Sequence, residues 1–279
     1  MKKLSVGHSP DADDAFMFFA LAKGKVSIED YEIDHVMQDI ENLNQRALTG
    51  ELDVSAISAA VYPQVAETYR VMACGASVGR NYGPLLIAKK AISLDELEGK
   101  TIGVPGTHTT ANLLLNLYVT DPFESKMMHF DTIMDAIAKG DIDAGVIIHE
   151  GQLTWERSGF TKILDLGKAW TQDTHLPIPL GLDVIHRRLG EENIQMITEA
   201  FEKSIRYALE HEDEAIDYAI QFGRGLDRDT CRRFVRMYVN DDTENMGEEG
   251  RVALQTLYAR ASGRGLVSSP PSLDIVGVK

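Results

Sequence analysis

The sequence predicts two α/β lobes facing each other across a ligand cleft. Three observations carry this reading. Strand-like and helix-like stretches alternate along the chain, the pattern of strands joined by crossover helices. The chain also echoes itself: residues 50–57 read Gly-Glu-Leu-Asp-Val-Ser-Ala-Ile and residues 140–147 read Gly-Asp-Ile-Asp-Ala-Gly-Val-Ile, each after a helix-periodic stretch. Finally, 279 residues at 44% hydrophobic and 25% charged are an ordinary globular mix, long enough for one large domain or two modest ones.

Taken in order, residues 3–7 read as a short strand. Asp13 or Asp14 is expected to open a helix through Phe16, Phe18, Ala20 and Leu21 that ends before Gly24. Residues 41–49 read as a second helix, with Ile40, Leu43, Ala47 and Leu48 on one face and Gly50 as its stop. Residues 53–57 are an apolar strand, and Ser58 leads into a helix through Val61, Val65 and Ala66. Residues 84–89 and 101–104 are strands, and Pro105-Gly106 turns the chain into a helix over 109–118. Residues 182–185 are strand-like. Two helices follow over 191–211 and 213–222, the first burying Ile194, Ile197, Phe201, Ile205 and Ala208 at 3–4 spacing. The acidic run over 210–217 reads as a solvated helix face. Mostly parallel sheets are expected, with one lobe formed by 1–88 plus 181–279 and the other by 89–180. Residues 84–89 and 182–186 are expected to be paired strands where the chain crosses between lobes.

Charge narrows the function. A net charge of −15 repels polyanions, which argues against nucleic acid and anionic membrane as partners. A small anionic substrate stays compatible, because local donors override a global field. Cys74 and Cys231 form neither a disulfide framework nor a zinc site. No apolar run approaches a membrane span. After Lys2-Lys3 the polar residues His8, Asp11, Asp13 and Asp14 arrive too soon for a signal peptide, so a cytoplasmic location is expected. No nucleotide-binding glycine loop occurs, and His149-Glu150 lacks the second histidine of a zinc-protease helix. Nucleotide cofactors therefore have no support, and no metal is expected. The sequence carries no signal for an oligomeric state.

Ligands of open α/β sheets bind beyond the carboxyl ends of the strands. Four polar groups fall at such ends: the turn Ser9 to Asp14, Ser58, the turn Gly106-Thr107-His108-Thr109-Thr110, and His149. Thr109 and Thr110 at a helix start offer hydroxyls and free N–H groups to an anion, although threonine at that position is routinely a plain cap. Ser58 has the same two readings. His149 ends an otherwise apolar strand, where a neutral imidazole can act as a general base; a satisfied core histidine is the bland alternative. By the internal echo, Ser58 and His149 hold near-equivalent places and face each other. Gly75-Ala76-Ser77-Val78-Gly79 fits the nucleophile-elbow pattern, but a strand follows it instead of a helix, so a glycine-rich loop is the better reading.

Three motifs carry a family resemblance: Ser9-Pro10-Asp11-Ala12-Asp13-Asp14-Ala15-Phe16, Gly106-Thr107-His108-Thr109-Thr110-Ala111, and Gly145-Val146-Ile147-Ile148-His149-Glu150. Together with Pro177 to Gly181 and Tyr238-Val239-Asn240, they make nearly the whole chain resemble the 1,4-dihydroxy-6-naphthoate synthases of menaquinone biosynthesis by the futalosine route. The resemblance implies a two-lobe fold like that of type II periplasmic binding proteins. It also implies a cofactor-free lyase acting on cyclic dehypoxanthinylfutalosine, with His149 as base. Asp14, Asn44, Ala56, Ile57, Ser58, Thr109 and Thr110 would line the pocket. Many members read Ser-Pro-Cys-Pro-Asn-Asp-Thr-Phe at the first motif. This chain keeps Asp14 and Phe16 but has Asp11, Ala12, Asp13 and Ala15. The alternatives are the chorismate dehydratase of the same pathway, a solute-binding protein without catalysis, and a serine hydrolase through Ser77.

Overall fold

The structure, a computed structural model, describes residues 1–278. The chain begins with β1 (Lys2–His8), α1 (Ala12–Ala22), β2 (Tyr31–Met37), α2 (Ile40–Leu48), β3 (Val54–Ser58) and α3 (Tyr62–Val65). It continues through β4 (Tyr69–Met72), β5 (Ser77–Gly79), β6 (Leu85–Ala88), β7 (Thr101–Val104), α4 (Thr110–Tyr118), β8 (Glu124–Met127) and α5 (Ile133–Lys139). Next come β9 (Ala144–Ile147), α6 (Gly151–Thr154), β10 (Thr161–Asp165), α7 (Leu166–Thr174) and β11 (Ile178–His186). The chain closes with α8 (Glu191–Glu210), α9 (Glu212–Ala219), α10 (Arg228–Tyr238), α11 (Asp241–Glu244), α12 (Gly247–Gly263) and β12 (Ile275–Val276).

These strands form two sheets. The first runs β12-β4-β11-β3-β1-β2, with β5 also on β11; the second runs β10-β6-β9-β7-β8. In each, one strand runs against its neighbours. β11 is antiparallel to β3, β4 and β5, and β6 is antiparallel to β9 and β10. β11 and β6 are the strands that follow the two crossings between the sheets. Each lies beside an echo strand, with Gly181 opposite Ser58 and Leu85 opposite Ile147.

This topology corrects two expectations. Leu85–Ala88 belongs to the second sheet, so the first crossing falls before Leu85 and not at residue 88. Ile178 and Pro179 pair with β5 in the first sheet, ahead of the expected boundary at 181. Residues 84–89 and 182–186 therefore stand in different sheets and do not pair with each other. An apolar run shows that a strand exists but not which sheet accepts it.

Helix α1 is the centre of the first-sheet body. Ten of its eleven residues are buried, including Asp13 and Asp14. The side chains of Phe16, Phe18 and Phe19 share a core with Ile197, Phe201 and Ile205 of α8 and with Ile216 of α9. Its N-cap is Asp11, whose carboxylate accepts the Asp14 N–H at 3.3 Å. Asp13 and Asp14 lie in the first turn and are not the cap the sequence pointed to. Helix α2 follows the rules more simply, with Asp39 as cap and Leu43, Asn44 and Ala47 buried. Among the described residues, no helix is long and apolar enough to cross a membrane.

Candidate active site

The carboxyl ends of β1, β3, β7 and β9 converge on a cleft between the two sheets. Asp14, Ala56, Ile57, Ser58, Thr109, Thr110 and His149 all line it. Asn44 does not. It stands fully buried behind Ser58, its Nδ2 donating to Ser58 Oγ at 3.0 Å and its Oδ1 accepting the Ser58 N–H at 2.8 Å. Asn44 therefore occupies a lone pair of Ser58 Oγ and leaves the hydroxyl proton for the cleft.

The two threonines are committed elsewhere. Thr109 Oγ1 donates to Gly106 O at 2.8 Å and accepts the Asn112 N–H at 3.2 Å, which is a cap. Thr110 Oγ1 donates to Leu180 O at 2.6 Å and accepts the Ala60 N–H at 3.2 Å. A hydroxyl has one proton, so neither side chain donates to a ligand in this arrangement. The first-turn N–H groups of Thr110 and Ala111 have no intrahelical acceptor, and both residues line the cleft.

His149 follows β9 in the left-handed backbone region, with φ +53°, a conformation rare for a side-chain-bearing residue and concentrated at functional sites. Its ring meets Phe130 edge-on, centroids 4.9 Å apart. Its Nδ1 lies 3.2 Å from Asp11 Oδ2, and its Nε2 is buried with no hydrogen-bond partner. The neighbouring Glu150 pairs with Arg224 at 3.1 Å, and Arg224 packs over the Phe130 ring and donates to Pro10 O. Tyr238 OH donates to Gln152 Oε1 at 2.7 Å.

Four carboxyls crowd this end of α1. Burial pushes Asp13 well above the usual carboxylate range, reinforced by the charges of Asp11 and Asp14. Asp14 is raised for the same reason, with Asp11 and Asp183 adding to burial. Asp183 is pushed up to about 8 by burial alone. Asp11 goes the other way: burial opposes its ionisation, but His149 and hydrogen bonds from Asp13, Ser9 and the Asp14 N–H outweigh that cost. Of the four, Asp11 alone is lowered, and burial raises the other three. Asp11, Asp13 and His149 also bring three donor atoms within 4.8 Å of one another, a grouping that could hold a metal ion and that linear spacing does not reveal.

Sequence reasoning missed several wall residues. Asp11 and Asp13 fall in the Ser9 to Asp14 turn that the strand-end argument places at the ligand, but only Asp14 of that turn is expected in the pocket. Ser77 lines the cleft from β5 and not from a strand-to-helix elbow. Gly181 and Tyr238 lie within motifs quoted for the family and also reach the wall.

The sequence profile of the menaquinone biosynthesis family matches residues 4–263. The chain belongs to that family. A relative from Thermus thermophilus, named 1,4-dihydroxy-6-naphthoate synthase, is 39% identical over 97% of this chain and 98% of its own length. The crystal structure of a protein from Archaeoglobus fulgidus superposes with a TM-score of 0.91 at 49% identity, covering 95% of this chain and 98% of that one. An alkanesulfonate-binding protein from Xanthomonas axonopodis superposes at 0.73 with 14% identity, over 99% and 96% of the two chains. That likeness shows the fold: two sheets in the arrangement of periplasmic binding proteins.

Proposed function

We propose that this member of the menaquinone biosynthesis family is a cofactor-free lyase that converts cyclic dehypoxanthinylfutalosine to 1,4-dihydroxy-6-naphthoate, with His149 as general base. The bodies built on the two sheets act as lobes that enclose the substrate. Full-length similarity to a synthase of that name supports the reaction, and the observation that carries the mechanism is His149 Nε2. That atom is buried and unpartnered, and the residue that carries it lines the cleft. An aromatic product requires loss of a proton and cleavage of bonds to a sugar-derived fragment. A positioned imidazole contributes about 10²–10⁴-fold to such proton transfer, and aromatisation supplies driving force.

The substrate carboxylate is held by Ser58 Oγ–H and by the N–H groups of Thr110 and Ala111 at the positive end of α4. Asp14 also lines the cleft, and burial raises its carboxyl, with the charges of Asp11 and Asp183 adding to the effect. Incubating the protein with the substrate and following naphthoate absorbance tests the reaction. His149→Asn should lower kcat by roughly 10²-fold or more while substrate Kd and Tm stay near wild type. Normal kcat with a lowered Tm would make His149 a structural residue and overturn the assignment.

A further inference from the structure

We propose that Asp11 is the positioning residue for His149: its carboxylate, presented across the cleft by the start of α1, holds a proton on Nδ1 and leaves the Nε2 lone pair facing the substrate. The inference rests on the reading of His149 as base and extends it to a residue on the opposite body.

Three geometric facts carry it. Asp11 Oδ2 and His149 Nδ1 are 3.2 Å apart, with both side chains largely enclosed. The Asp11 carboxylate accepts the Asp14 N–H at 3.3 Å as the cap of α1, so the start of that helix sets its position before any ligand arrives. His149 Nε2 has no partner. A neutral imidazole has one N–H and one lone pair. A carboxylate accepts and cannot donate, so Nδ1 must carry the hydrogen and Nε2 the lone pair. In the reaction the substrate C–H bond breaks, its electron pair stays on the substrate, and the proton moves to Nε2. No oxidant or reductant is involved. The positive ring that results faces the negative charge of Asp11.

The contact also joins the two bodies. Asp11 follows β1 of the first sheet and His149 follows β9 of the second. The base is therefore aligned by a group from the opposing body, which ties its tautomer to the enclosed geometry of the cleft.

Asp11 also caps α1, so the test uses variants that keep a cap. Serine and asparagine both cap well; Asp11→Ser removes the reach to Nδ1, and Asp11→Asn removes the charge. The first measurement is ¹⁵N NMR of the full chain labelled at histidine, with the His149 signals assigned by their loss in His149→Asn. Wild type should show a protonated Nδ1 and a bare Nε2, and Asp11→Ser should lose that preference. In assays, kcat of Asp11→Ser should fall roughly 10²-fold or more, with KM changed less than about threefold. A hydrogen on Nε2 in the neutral wild-type ring would overturn the proposal, as would Asp11→Ser or Asp11→Asn with kcat within about threefold of wild type. The tautomer needs no turnover. A wild-type chain inactive on the substrate but carrying the Nδ1 hydrogen would refute the assigned reaction and leave the positioning contact standing.

Discussion

Asp183 stands on β11 with its carboxyl packed against Gly75, which has φ +84° and lines the cleft. A methyl group at Gly75 would overlap that carboxyl, so both the space and the left-handed backbone require glycine there. Burial raises Asp183 from the ordinary 3.8 to about 8. Between those values the unfolded chain has released the proton and the folded chain still holds it. Stability is thus fully present below about pH 4, declines through that window by up to about 1.4 kcal/mol per pH unit, and levels off above about 8. Asp183→Asn removes the titration with little change of shape. Its Tm should exceed wild type by at least about 3 °C at pH 8, with a smaller gain at pH 5. Thermal melts at the two pH values check this; a Tm difference that does not depend on pH would show that Asp183 does not titrate in the window.

At the scale of elements, Asn44 pins α2 to the end of β3 through its two bonds to Ser58. Removing a buried partner leaves the other group unpaired, at a cost of about 1–3 kcal/mol. Asn44→Ala should therefore lower Tm by about 3 °C or more and also raise substrate Kd, because the Ser58 hydroxyl loses its orientation. Ser58→Ala should raise Kd with a smaller loss of Tm. Calorimetry and titration on both variants test the division of labour, and an Asn44→Ala protein with wild-type Tm would refute it. The same helix shows how much of the site was legible. The period of Leu43, Ala47 and Leu48 marks the helix and its inner face, yet Asn44 shares that buried face for a reason that lies on β3.

Across the whole molecule, the bodies meet through polar contacts around the cleft: His149 with Asp11, Gln152 with Tyr238, His108 with Glu41 at 2.8 Å, and Glu150 with Arg224. Arg224 holds a buried glutamate of the second-sheet body and also binds Pro10 O in the first. Arg224→Met keeps a long apolar stem over Phe130 but drops both bonds. Losing a hydrogen bond to a charged group costs about 1.5–3 kcal/mol, so substrate Kd should rise about tenfold or more. Adding Glu150→Gln removes the stranded charge and should recover much of the loss. A double variant as weak as Arg224→Met alone would show that the ion pair is not what joins the bodies.

The sequence by itself determined what depends on neighbours along the chain. The alternation of apolar runs marked β1, β3, β7, β9 and the long helix α8, and the internal echo placed Ser58 and His149 at matching strand ends. Strands β2, β8 and β10 escaped, because charged and polar residues break up their apolar positions, as in Tyr-Glu-Ile-Asp-His-Val-Met and Glu-Ser-Lys-Met. Which sheet receives β6, which aspartate caps α1, and where each hydroxyl proton goes were decided only by the tertiary structure. These are choices between partners far apart in sequence: Thr110 bonds Leu180, Asn44 bonds Ser58, and Asp11 meets His149. Burial of several carboxyls around one cleft then shifted their titration, Asp13 and Asp14 upward and Asp11 downward. Desolvation and mutual charge act through space, and residue types in linear order do not encode them.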